Sequence, residues 1–341
     1  MKYSIAVCVS LIVTVCMAAA QITISVAPTL RLTDTLQLTA PVSGSTNKSL
    51  VWKVNGVTGG NLTVGTISVS GLYVAPATIP IPATVTITAV SQADSTQSSS
   101  TPMTIVPCAP VPKGIISWWT GENGPQDFAG NNRGKLQGGV TFVPGKVALG
   151  FNFDGSSGYV NVPDSSSLHS ITKTVSVEMW MMPKTISASA GPGYLYSRRN
   201  PLTSENFSVY ILADGTLGVL LRTSSSTTET GSKFESVPGI IKFDHLQHVA
   251  STADTNSSTV QAYVNGIAVS LVNVFGPSSF SGTFSPVTHL YIGRRQDVSV
   301  EGVAGAGYFS GLIDEASLYA VALTQSQIQS IVNAGVNGKC R

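Results

Sequence analysis

Two stretches, YILADGTLGVLL at 210–221 and QAYVNGIAVSL at 261–271, each set a turn pair that tolerates positive φ, Asp214-Gly215 and Asn265-Gly266, between apolar runs. Pairs of this kind between strand-like segments commit their flanks to antiparallel hairpins. Short alternating runs of the same character recur through the chain. Only 11% of the 341 residues are charged and 43% are hydrophobic, a composition rich in Ser, Thr, Gly and Val that favours strands over helices. An all-β protein is expected. One helix is predicted near the end, with Thr324 as cap, Gln327 three residues on, Ile328, Ile331 and Val332 on one face and Gly335 as the stop.

The formal charge of +2 speaks against a polyelectrolyte partner, and no basic-aromatic interleaving of the nucleic-acid kind occurs. Residues 1–20 run from Lys2 through an uncharged stretch to Ala18-Ala19-Ala20, which reads as a cleaved export signal and places the protein outside the cell or on its surface. No later run is long and apolar enough to span a membrane. Export leaves Cys108 and Cys340 in a disulfide-permitting compartment, where a bridge would staple the ends of one long segment.

Residues 21–107 alternate at Leu36, Leu38 and Ala40, at Leu50, Trp52 and Val54, and at Val85, Ile87 and Ala89, with Asn55-Gly56, Gly59-Gly60 and Gly71 as turn signals. A small sandwich with Trp52 in its core is expected. The stretches LVWKVNGVTGGNLTVGTISVSGLYVAP, ATVTITAVSQAD and TPMTIVP resemble a bacterial Ig-like domain. A Pro-rich joint, PCAPVPKG, follows, and the boundary is placed at Cys108.

Residues 108–341 carry, in order, ISWWTGEN, DFAGNNRGKLQGGVTFVPGKVALGFNFDGSSGYVNVP, VSVEMWMMP, HVASTAD, YVNGIAV, LYIGRR and GLIDEASLYAVALTQSQIQSIVNAG. This series resembles a laminin-G-like, concanavalin A-like jelly roll. The resemblance implies that the first and last strands are neighbours, which supports a Cys108–Cys340 bridge. It also implies a structural calcium where a D..GN loop meets the final strand, with Asp127, Asn131 and Asp314 as candidate ligands whose oxygens suit that ion. On the residues alone an equal reading stands, with Asp127 capping its own turn and Asp314 accepting backbone N–H bonds.

Asp314 and Glu315 are adjacent acids. In a regular strand Leu312, Asp314, Ala316 and Leu318 share one face, and Ile313, Glu315, Ser317 and Tyr319 the other, so the two carboxylates are expected to point apart. That speaks against a glycosidase pair formed from these two. Glu178 in VSVEMWMMP has no acidic companion two positions away, and no G-x-S-x-G elbow is present. His245 and His248 are read as strand-entry residues, since residues three apart in a strand face opposite ways.

Trp118 and Trp119 are expected to face opposite sides of a strand, one in the core and one outward, with Trp119 the candidate for stacking on a sugar ring. Arg198, Arg199, Arg294 and Arg295 end strand-like runs, and a guanidinium can fork onto a carboxylate or sulfate, so they are candidate ligand-binding residues. The expected function is non-catalytic binding of an extracellular glycan or glycoprotein through the jelly roll. A glycoside hydrolase or polysaccharide lyase on the same fold, and a purely structural adhesion component, are the alternatives.

Overall fold

The computed structural model describes residues 21–24, 29–186, 191–199, 206–224, 231–284, 288–295 and 307–341, and the strand counts below are of these. The expected export signal, residues 1–20, lies outside them. The chain divides into two compact units, one ending at Pro107 and the other running from Cys108 to Arg341.

In the smaller unit a five-stranded sheet runs in the order Thr29–Arg31, Ser98–Val106, Thr84–Ser91, Leu50–Val54, Val57–Thr58. A four-stranded sheet, in the order Thr35–Gln37, Leu72–Val74, Gly65–Ile67, Gly60–Asn61, accompanies it. Alternation decides which residues meet: Trp52, Val54, Val85, Ile87 and Ala89 join Leu38, Ile67, Tyr73, Met103 and Ile105 in one apolar cluster. Trp52 lies in this core, as its place in LVWKV predicts.

The larger unit is built from two eight-stranded sheets. The first runs Val140–Pro144, Leu149–Asp154, Ser310–Tyr319, Thr174–Pro183, Gln247–Asp254, Thr259–Val264, Ile267–Val269, with Ile115–Trp119 also paired to Ser310–Tyr319. First and last strands are therefore neighbours. The second runs Lys135–Gln137, Tyr159–Val162, Leu290–Ile292, Gly193–Arg199, Asn206–Ile211, Leu217–Arg222, Ser232–Glu235, Val272–Phe275. Both predicted hairpins form: Asn206–Ile211 pairs antiparallel with Leu217–Arg222, and Thr259–Val264 with Ile267–Val269. Phe151, Phe153, Val177, Met181 and Ile313 from one sheet and Val160, Val162, Leu195, Val219 and Ile292 from the other fill the space between the layers. Each such side chain contributes roughly 1.5–3 kcal/mol by leaving water.

The C-terminal helix spans Gln325–Ala334, and its Thr324/Gln327 capping box is complete. Its Ile328 is buried with Ala250, Tyr263, Tyr319 and Leu323 against the outer side of the first sheet. Gly335 ends it at φ 58°. The following residues bring Cys340 to Cys108 as a disulfide with Cα atoms 5.0 Å apart. Among the described residues no helix is long and apolar enough to cross a membrane.

Candidate functional site

The outer side of the first sheet holds the carboxylates. Opposite the strand Thr174–Pro183 the pairing steps from Trp180↔Asp314 to Glu178↔Ser317, a β-bulge, and Glu315 takes the left-handed φ of 58°. The extra residue shifts the phase of the strand. Ile313, Ala316 and Leu318 enter the core, and Asp314 and Glu315 both lie off it. The expected division, with Asp314 beside Ala316 and Leu318 and Glu315 beside Ile313, is thereby corrected.

Glu315 Oε2 accepts the Trp118 indole N–H at 3.0 Å and lies 3.6 Å from Lys339 Nζ. Lys339 Nζ also donates to Glu178 Oε1 at 2.9 Å, where the Tyr319 hydroxyl donates at 3.1 Å. Glu178 Oε2 and His248 Nε2 are 2.9 Å apart. Glu178, His248 and Lys339 are each 0% exposed. Burial pushes Glu178 upward, yet the Lys339 ammonium and the His248 bond outweigh it and hold the acid at about 2. Burial opposes the charge on Lys339 as well, and Glu178 and Glu315 hold it above the usual lysine range. Glu315 is raised by burial against the pull of Lys339 and Arg341. Two acids thus share one ammonium in a place closed to solvent, an arrangement that locks the C-terminal segment onto the sheet.

Asp314 stands beside this lock. Its Oδ2 accepts the Lys146 and Val147 N–H groups at 2.7 and 2.9 Å. Asp127 Oδ1 accepts from the Trp118, Ala129 and Gly130 N–H groups and Oδ2 from that of Asn132, at 2.8 to 3.0 Å. Asn131 is exposed, and the amide drawn inward is Asn132, which bonds Ser117, Ser165 and Ser167. These residues do not fit a calcium ion. The Asp127 oxygens are taken up by N–H donors of Trp118 and of their own loop, Asp314 answers a different turn, and Asn131 is exposed. Among the described residues no group of three or more His, Cys, Asp or Glu is placed to hold a metal.

Both tryptophans are buried, which corrects the outward placement of Trp119. Trp119 is 1% exposed in the core, its indole N–H donating to Asn132 O at 2.8 Å. Trp118 lies on the outer side, beneath Lys339 Nζ at 4.8 Å and Arg341 at 5.8 Å from its ring centre. Arg198 is likewise not a surface ligand group: it is 2% exposed, donates to Leu168 O at 2.8 Å and lies 3.5 Å from Asp164. The side chain of Arg199 lies outside the described residues.

Arg294 and Arg295 are placed differently. In Tyr159–Val162 and Leu290–Ile292, Val160, Val162, Leu290 and Ile292 face the core, so Tyr159, Asn161 and Tyr291 face outward from the second sheet. Register sets Asn161 opposite Tyr291, and Lys135 and Gln137 on the neighbouring strand opposite Asn161 and Tyr159. The chain then turns at Gly293, whose φ of 82° and whose approach to Phe153, 2.7 Å from where a Cβ would sit, exclude a side chain.

That turn lays the Arg294 guanidinium over the Tyr159 ring at 4.7 Å and the Tyr308 ring at 5.1 Å. Tyr159 packs on Tyr291 with ring centres 5.8 Å apart and on Tyr308 at 6.2 Å. His289 stacks on Tyr291 and bonds Asn161 Oδ1 through Nδ1 at 2.7 Å. The three tyrosines and Arg294 are half-buried, and His289 is exposed. Arg295 lies over Tyr194, which packs on Tyr210, whose hydroxyl donates to Glu235 at 2.6 Å. Sequence reasoning singled out the arginines and passed over the tyrosines, although GYVNVP and HLYIGRR place an aromatic ring on the non-core phase of each strand.

A two-sheet sandwich with adjacent first and last strands and a C-terminal helix against one sheet is a jelly roll of the concanavalin A type. The laminin-G family profile described as the Concanavalin A-like lectin/glucanases superfamily matches residues 154–329, and the chain belongs to this family. No curated protein sequence matches the chain. Among solved structures it is similar to domain 4 of AbnA, a GH43 extracellular arabinanase from Geobacillus stearothermophilus, in complex with arabinotriose. There the TM-score is 0.46 at 19% identity, over 63% of this chain and 96% of that one. The binding domain of botulinum neurotoxin DC in complex with SialylT is similar at a TM-score of 0.49 and 14% identity, covering 65% of this chain and 52% of the other.

Proposed function

We propose that the protein is an exported, non-catalytic carbohydrate-binding protein. In this reading the larger unit holds a glycan on the outer face of its second sheet, and the smaller unit serves as an Ig-like spacer. The observation that carries the reading is the half-exposed cluster of Tyr159, Tyr291 and Tyr308 around Arg294. Outward positions of a solvent-facing sheet ordinarily carry small or charged residues, whereas here rings occupy neighbouring strands. An aromatic ring offers an apolar face to the C–H groups of a sugar and a hydroxyl to its oxygens. Asn161 and His289 add amide and imidazole groups at the border. Family membership supports the same class of ligand.

The acids Glu178 and Glu315, which a hydrolase would need exposed, are engaged with Lys339. A glycan-array screen of the purified protein, with and without calcium and alongside Tyr159→Ala and Tyr291→Ala, tests the proposal. Binding that is independent of calcium and lost in both variants is the expected result. Polysaccharide cleavage by the wild type would overturn it.

A further inference from the structure

We infer that the ligand held on the Tyr159–Tyr291–Tyr308 face is an anionic saccharide, a uronate or a sulfated sugar, whose acid group is bound by Arg294. This inference rests on the carbohydrate-binding reading and narrows it to a chemical class. Arg294 is held by aromatic faces, 4.7 Å from the centre of Tyr159 and 5.1 Å from that of Tyr308. Among the described residues no carboxylate lies within ion-pair distance of it, although Arg198, Lys339 and Arg341 each have an acid within such reach. Its Nε is shut away from solvent without a hydrogen-bond partner, while the residue as a whole stays half-buried.

Two rings fix the plane of the guanidinium without neutralising it. A fixed fork of N–H donors with unspent charge is the geometry that receives a carboxylate or sulfate in two parallel bonds. The surroundings agree in sign. Lys135, exposed on the adjacent strand across from Asn161, is basic. His289 donates its Nδ1–H to Asn161 Oδ1, and among the described residues no acid pairs with it. The rings would stack on the sugar while Arg294 takes its charge, so both the ring and the acid of the ligand are recognised.

Affinity electrophoresis and titration calorimetry on the full chain decide the matter, with polygalacturonate and dextran sulfate as the carboxylate and sulfate probes and dextran and arabinan as uncharged controls. Wild type is compared with Arg294→Ala, Arg294→Lys and Tyr159→Ala, each checked by circular dichroism and thermal melting. Preference for one or both acidic polymers, with Kd weakened at least about tenfold in Arg294→Ala and only partly restored in Arg294→Lys, is the expected outcome. Binding of uncharged glycans that needs Tyr159 but not Arg294 would overturn the inference and leave the carbohydrate reading intact. Acidic-polymer binding that Arg294→Ala leaves unchanged would also overturn it. Retention of none of the four polymers by a folded wild type would count against both.

Discussion

Lys339 Nζ and Glu178 Oε1 lie 2.9 Å apart with both side chains withdrawn from solvent, although the two residues are 161 positions apart in the chain. The contact joins the last residues of the larger unit to a central strand of its first sheet. Truncating the lysine leaves Glu178 and Glu315 buried without the ammonium they share. Lys339→Ala is expected to cost about 3–5 kcal/mol, measured by urea unfolding. Adding Glu178→Gln to that variant should recover part of the loss, because one uncompensated charge is then removed.

Asp314 gives the protein a pH dependence of defined sign. Burial, with Glu315 adding to it and the Val147 and Lys146 N–H groups opposing, raises its carboxyl from 3.8 to about 7. A carboxyl raised in the folded state binds its proton more tightly there than in the unfolded chain. Its contribution is complete below pH 4 and is lost as the pH climbs toward 7, by at most about 1.4 kcal/mol per unit. Asp314→Asn keeps an oxygen for the two N–H groups and cannot ionise. Melting temperatures between pH 4 and 8 should therefore decline less in the variant than in the wild type.

Reduction of the Cys108–Cys340 bridge, or its removal in a Cys108→Ser/Cys340→Ser variant, frees a loop with a sequence separation of 232 residues. A loss of about 2–5 kcal/mol is expected, read as a lower midpoint in guanidinium under reducing conditions.

Trp119 and Tyr159 should separate stability from binding. Trp119→Ala opens a cavity in the core and is expected to cost about 3–5 kcal/mol. Tyr159→Ala, on the outer face, should change stability by well under half of that while removing glycan retention. Equal effects of the two substitutions on both measurements would contradict the assignment of the outer face as the site.

What could be read from the residues was what is decided locally. Asp214-Gly215 and Asn265-Gly266 set their hairpins, and Thr324 with Gln327 capped the helix, because each depends on neighbours a few positions away. The Glu315 bulge was hidden, since an alternating run looks the same whether or not one residue is left over against its partner strand. Trp118 and Trp119 misled for a related reason. Alternation correctly sends them to opposite sides, but the outer side is roofed by Lys339 and Arg341, more than two hundred positions away. The tyrosine face required knowing that Tyr159–Val162 and Leu290–Ile292 are adjacent strands, a pairing that no short motif encodes.

With Cys108 and Cys340 bonded, the entry and exit of the larger unit meet at Cα atoms 5.0 Å apart. A pull applied to the chain on either side of this unit would run through two sulfur atoms and bypass the strands between them. Tension would leave the paired sheets, and any sugar resting on them, unloaded.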